Sequence, residues 1–338
     1  SLTRAVEGSP QLFVLDNITK EGLISTDINL KFDLDGEIKN NYQITGTVKK
    51  AKFNIFNKVE IDDLNLLFNI SNNQLTLKKI ETNLNSIKLK SPLIKIEKKK
   101  DIFFVDGEVA NKEQNFDIKK LKPIFGDLPN NIEIEKIDFN SVNIFSFNIN
   151  KKLKLKDLKL ETNLNLENFQ IVKNPLNLKT FLPNYAEQIK FKDHKIKIKL
   201  IKGILDIRGD GDIYIGDESE QLSYNVIKDD RKITFNTNLN IKNNPLTINF
   251  LDYKKKKGNS SEILLKGIYK KNKELILKDI SITEKNNQIL IKDLLFSKNF
   301  KVKDLSYIKL NYRNKNDLLN NLELKKNKSN FSINGKSF

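Results

Sequence analysis

The chain has 338 residues, 38% of them apolar, and carries 60 Lys and Arg against 43 Asp and Glu for a net charge of +17. That is enough chain for one large or two ordinary domains with a core. With no Cys there is no disulfide, thiolate nucleophile or Cys-ligated metal centre, and with His194 as the single His an enzyme would have to work with Asp, Glu, Lys, Tyr, Ser or Thr. No metal site or cofactor is expected.

No apolar run approaches the roughly 20 residues that span a bilayer, and the absence of Met reads as an internal segment of a longer polypeptide. The basicity is almost all Lys, with Arg only at Arg4, Arg208, Arg231 and Arg313. A nucleic-acid reader favours Arg interleaved with stacking aromatics, so no nucleic-acid partner is expected.

In chain order, the first clear element is the octet 28–35, which alternates apolar and polar residues and reads as a half-buried strand ended by an Asp35-Gly36 turn. Further turns are expected at Ser71-Asn72-Asn73 and Asp106-Gly107. Residues 116–125 could form a short helix, ended by Gly126 and Pro129. Alternation resumes over 160–166. Residues 178–189, with Pro175 before and Pro183 inside, could form a second, irregular helix. His194 precedes the strand 195–200 and reads as a solvated, turn-associated imidazole. A turn at Gly209-Asp210-Gly211 is followed by a long alternating strand over 233–241, with later turns at 271–273 and 285–287.

A loose repeat runs through the chain: a strand, a Lys-Asp or Asp-Asp pair, then another alternating strand. It occurs at Asp62-Asp63, Lys156-Asp157, Lys278-Asp279, Lys292-Asp293 and Lys303-Asp304, with a related Lys78-Lys79 form. An extra polar residue there flips the facing register, so each pair predicts a bulge or tight bend between consecutive strands. Strand plus turn occupies roughly ten to thirteen residues. The expectation is an all-β chain of roughly 25 strands, a quasi-one-dimensional array, with possible subdivision near 116–131 and 174–190.

The stretch Leu265-Lys266-Gly267-Ile268-Tyr269, followed by 275–282 with its Lys-Asp pair and by 289–296, resembles the repeating strand unit of the AsmA-like family of Gram-negative envelope proteins, of the TamB and YhdP type. The closing residues 331–338 and the opening 22–48 are similar in style. The resemblance implies one long, curved, taco-like antiparallel sheet with an apolar concave side. It also implies the periplasmic part of an inner-membrane-anchored protein, with the anchor outside this segment and envelope proteins possible at either end. The implied activity is passage of phospholipid between the two membranes.

On that reading the groove is lined by Ile28, Leu30, Phe32, Leu34, Leu64, Leu66, Phe68, Leu160, Leu164, Leu166, Ile196, Ile198, Leu200, Ile233, Phe235, Leu239, Ile241, Leu246, Ile248 and Phe250. A conduit needs no chemical step. Alternation reports burial without saying by what, so the same residues could pack on one another. Two other function classes stay open: a structural or adhesive β-rich surface protein, and a carbohydrate-active β-solenoid. The acids Asp206, Asp210, Asp212, Asp217, Glu218 and Glu220 read as solvated turn acids or a weak Ca²⁺ site, and the Lys runs 98–100 and 254–257 as solvated turns or contacts to anionic headgroups.

Overall fold

The structure is a computed structural model that describes residues 19–32, 34–36, 42–55, 59–71, 74–85, 87–116, 133–150, 154–173, 178–185, 188–328 and 330–336. Alternating Ile, Leu and Phe against Lys, Asn and Asp produce strands almost throughout. These are β1 Thr19–Asn29, β2 Gln43–Ile55, β3 Val59–Ser71, β4 Gln74–Leu84, β5 Ile87–Lys99, β6 Ile102–Asn115, β7 Glu133–Asn150, β8 Leu155–Lys173, β9 Ile189–Ile201, β10 Ile204–Ile215, β11 Glu218–Lys228 and β12 Lys232–Ile241. There follow β13 Leu246–Ile248, β14 Tyr253–Lys255, β15 Ser261–Lys270, β16 Glu274–Glu284, β17 Asn287–Ser297, β18 Val302–Asp304, β19 Tyr307–Arg313, β20 Leu319–Asn327 and β21 Asn330–Lys336.

All but β13 and β14 belong to one 19-stranded sheet, which does not close into a barrel. The described ladders are antiparallel and mostly join chain neighbours, from β1–β2 through β5–β6 and from β10–β11 to β20–β21, with the short β18 and then β19 both docking on β17. Among the described residues a detour interrupts the meander: after β12 the chain forms the small β13–β14 ladder, and β15 then pairs with β12. The chain divides into two compact units, one of Ser1–Asp127, Phe139–Asn163 and Leu200–Lys202, the other of Leu128–Asp138, Leu164–Lys199 and Gly203–Phe338.

The all-β expectation holds, and several local expectations change. Among the described residues there is no α-helix: residues 178–189 begin with a single 3₁₀ turn, Leu178–Thr180, and run into β9. The other expected helix, 116–125, lies outside the described residues beyond Phe116. The octet 28–35 is not one strand, because β1 stops at Asn29 and residues 34–36 form the turn.

Asp106-Gly107 and Gly209-Asp210-Gly211, read as turns, lie in mid-strand in β6 and β10. Rings explain why: a Cβ on Gly209 or Gly211 would run into the Tyr224 ring or into His194, whose Cα would lie 2.6 Å away from it at Gly211. Gly46 under Phe68, Gly107 beside Phe145 and Gly267 under Phe235 repeat the arrangement. Glycine leaves a hole in the pleated surface and a neighbouring aromatic side chain fills it.

The Lys-Asp pairs also sit inside strands. Lys50, Asp63, Lys79, Asp157, Asp193 and Asp293 all adopt φ between 50° and 53° within β2, β3, β4, β8, β9 and β17. Each marks a point where the inward phase switches: in β9 Phe191 faces the same side as His194, and in β17 Ile291 faces the same side as Leu294. The kink inserts one extra polar residue without breaking the ladder, so strands predicted as separate merge. β8, for example, runs on through its kink at Asp157 to a length of 19 residues.

Candidate functional site

The registers line the inward residues into rows across the strands. In the first unit one row runs Ile44, Ile70, Leu75, Ile96 and Val105, and the next Gly46, Phe68, Leu77, Ile94 and Gly107. In the second unit a row runs Ile207, Val226, Phe235, Gly267, Leu277 and Leu294, and another Leu222, Leu239, Ile263, Ile282, Ile289 and Leu310. Each unit therefore carries an apolar face built from cross-strand pairs.

Most of this face is only half covered. In a two-layer sandwich the inward side chains of central strands disappear from solvent. Leu265, Ile280 and Ile291, in the middle of β15, β16 and β17, instead keep intermediate exposure. They are shielded by their neighbours in the sheet and by no second layer among the described residues.

One end of the second unit differs. There residues 178–185 and 242–260 fold over the strand ends and close a cluster of Leu182, Tyr185, Ile189, Ile215, Ile241, Leu246, Ile248, Tyr253, Ile289 and Tyr312. The two covering segments join where Thr247 N–H donates to Phe181 O at 2.8 Å, and Tyr312 OH ties the cover to the sheet through Leu251 O at 2.6 Å.

Polar groups lie beneath this cover. Glu220 accepts from the backbone N–H of Lys242 at 2.7 Å and of Asn244 at 2.6 Å, and Glu284 accepts from Tyr253 OH at 2.6 Å and Asn259 Nδ2 at 2.7 Å. Lys255 is fully buried and donates to Asn244 O at 2.6 Å. Burial pulls its ammonium pKa below the ordinary range, opposed by the Glu220 and Glu284 carboxylates. Burial first, then Glu284, pushes the Tyr253 hydroxyl well above its ordinary value. Glu220 and Lys255 thus depart from the solvated roles expected of them, because each closes backbone groups that the detour would otherwise leave unpaired.

The expected solvated His194 is likewise corrected: it is 1% exposed in β9, with its ring between Phe191 and Tyr224 and Nε2 2.9 Å from Asp212 O. The kink at Asp193 turns it inward over Gly211. Burial lowers its pKa and favours the neutral ring, so Nε2–H donates to the carbonyl.

The remaining acids of its neighbourhood disperse. Asp206 pairs with Arg208 at 2.9 Å, Asp212 meets Gln221, and Glu218 meets Lys257. Among the described residues no three His, Asp or Glu side chains gather as metal ligands, and no helix is long and apolar enough to cross a membrane.

The residues expected to line a groove separate into distinct settings. Leu64, Leu66, Phe68, Leu160, Leu164, Ile196, Ile198, Leu200, Ile233, Phe235 and Leu239 lie half-buried on strands of the sheet. Leu166 and Ile241 are buried, while Leu246 and Ile248 belong to β13 and pack into the closed cluster. Ile28, Leu30, Phe32 and Leu34 are exposed at or beyond the end of β1, and Phe250 is exposed on the 3₁₀ turn Asn249–Leu251.

Sequence reasoning missed a polar chain within the first unit's inward side. There Asn111 Nδ2 donates to Phe139 O at 3.1 Å, Ser141 Oγ to Asn111 Oδ1 at 2.5 Å, Asn143 Nδ2 to Ser141 Oγ at 2.9 Å and Thr162 Oγ1 to Asn143 Oδ1 at 2.8 Å. Small polar residues at inward phases of β6, β7 and β8 were its only signal. Comparison with known protein families, curated proteins and solved structures finds no match to this chain.

Proposed function

We propose that the chain is part of a periplasmic, bridge-like conduit that carries phospholipid acyl chains along apolar faces between the inner and outer membranes, as the AsmA-like resemblance implies. The supporting observation is the half-covered rows of the two units, exemplified by Leu265, Ile280 and Ile291. Each methylene that such a surface shields from water contributes about 0.8 kcal/mol. Because each row continues from strand to strand, an acyl chain can slide across the strands without a large barrier. On this reading the protein is not an enzyme, and its ligand is a phospholipid.

The closed cluster around Ile241 and Tyr253 favours a second, structural reading, since there the apolar residues already pack on one another. Photo-crosslinking separates the two. The protein is isolated from a bacterial envelope with a photoreactive residue in place of Leu265, on the apolar face, or of Asn236, on the other. Acyl adducts at Leu265 and none at Asn236, read by mass spectrometry, are the expected result. No adduct at Leu265 above the Asn236 background makes the structural reading the better one.

A further inference from the structure

The two ends of the second unit's strands carry different charge. At the closed end, residues 178–185, 216–220, 242–260, 284–286 and 313–318 hold nine Lys and Arg against six Asp and Glu. At the opposite, uncovered end, residues 203, 228–232, 270–274, 298–304 and 325–328 hold twelve against four. The apolar face is thus shut where charge is nearer balance and open where it is more cationic.

A concavity of about 400 Å³ lies at the cationic end, between the turn from β15 to β16 and the turn from β17 to β18. Lys273, Lys298 and Asn272 stand at its rim, with Tyr269, Leu275 and the exposed Phe300 as its apolar part. Tyr269 and Leu275 are a cross-strand pair of the apolar face, so the wall of the concavity continues into the rows. Glu274 is the one carboxylate lining it, and it is already paired to Lys270 at 2.7 Å with Lys273 and Lys303 acting on it as well. Among the described residues neither Lys273 nor Lys298 forms an ion pair of its own.

We propose that this concavity takes the anionic phosphate headgroup of a phospholipid, whose acyl chains run from it along the strands toward the closed end. The inference rests on the lipid-carrying reading and adds a headgroup class and a direction. From Leu275 to Ile280, before the closed cluster packs on Ile282, the apolar face extends five residue steps, about 17 Å, the scale of most of an acyl chain. A zwitterionic choline headgroup would bring its own cation against the same lysines, and an anionic headgroup without one would not.

The full chain is equilibrated at low salt with equal amounts of phosphatidylglycerol and phosphatidylcholine in mild detergent, and bound lipid is counted by native mass spectrometry. Phosphatidylglycerol is expected to exceed phosphatidylcholine about tenfold. The pair Lys273→Glu and Lys298→Glu should bring that ratio near one while phosphatidylcholine uptake stays constant. The pair Lys254→Glu and Lys256→Glu, an equal charge change at the closed end, should keep the preference. Equal uptake of the two lipids by the unaltered chain, or an equal loss of preference in both variant pairs, overturns the headgroup site and leaves the lipid-carrying reading standing. Uptake of neither lipid overturns both.

Discussion

His194 and Gly211 show how one residue constrains another across neighbouring strands. An Ala at 211 would place its Cβ 2.6 Å from the His194 Cα, a backbone atom that no side-chain rotation can move. Gly211→Ala should therefore cost about 2–3 kcal/mol, measured as a drop in urea-unfolding stability. Gly203, with open space around it, pays only for its φ of +77° and should cost about 1 kcal/mol when changed to Ala. The buried imidazole adds a pH dependence. Its folded pKa is lowered from 6.5, so the unfolded chain binds the proton more readily. Stability should be level above that value and fall as pH drops from 6.5 toward 5, and unfolding curves of His194→Leu across this window should show a smaller fall.

At the scale of the strand, the Lys-Asp kinks decide which residues face inward. Lys278 and Asp293 lie opposite each other on β16 and β17, joined at 2.7 Å, and each strand switches phase there. Deleting Lys278 turns Leu275, Leu277, Ile280 and Ile282 into an unbroken alternation, and deleting Asp293 does the same for Ile289, Ile291, Leu294 and Phe296. Either deletion alone leaves the partner's extra residue unmatched. The double deletion should be more stable than either single one, by about 2 kcal/mol on urea titration; a double variant weaker than both would mean that the kinks are independent.

These kinks were legible in the sequence as polar pairs that interrupt alternation, and so was the strand-rich fold. Their position inside strands was not legible, because an insertion reads the same whether the ladder continues past it or ends. Gly209-Asp210-Gly211 misled for a related reason: a Gly-Asp-Gly run is good turn chemistry, and the rings that make it a strand come from β9 and β11. The half-buried rows could be read from alternation, whereas the closure around Tyr253 could not, since it depends on two short segments far apart in the chain. The buried Lys255 hid within a run of four lysines.

For the molecule as a whole, the closing segment of the second unit is a layer with its own fastening. Glu220 fixes it through the Lys242 and Asn244 N–H groups and offsets the buried Lys255 charge. Glu220→Gln should cost about 1–3 kcal/mol, and hydrogen exchange should quicken over 242–260 while β2–β6 keep their protection. Acceleration spread evenly over the chain would mean that the closing segment has no separate stability.

The meander carries a consequence for how the chain is made. Nearly every strand pairs with the one just before it, so a ribosome that releases β3 has already released the strand on which β3 docks. Assembly can keep pace with synthesis, hairpin by hairpin, and leaves a fresh edge at each step. Among the described residues, a wait is enforced between β12 and β15, where the edge of β12 stands open until the detour through β13 and β14 has been completed. During that interval a nascent chain exposes an unpaired edge that a chaperone can shield.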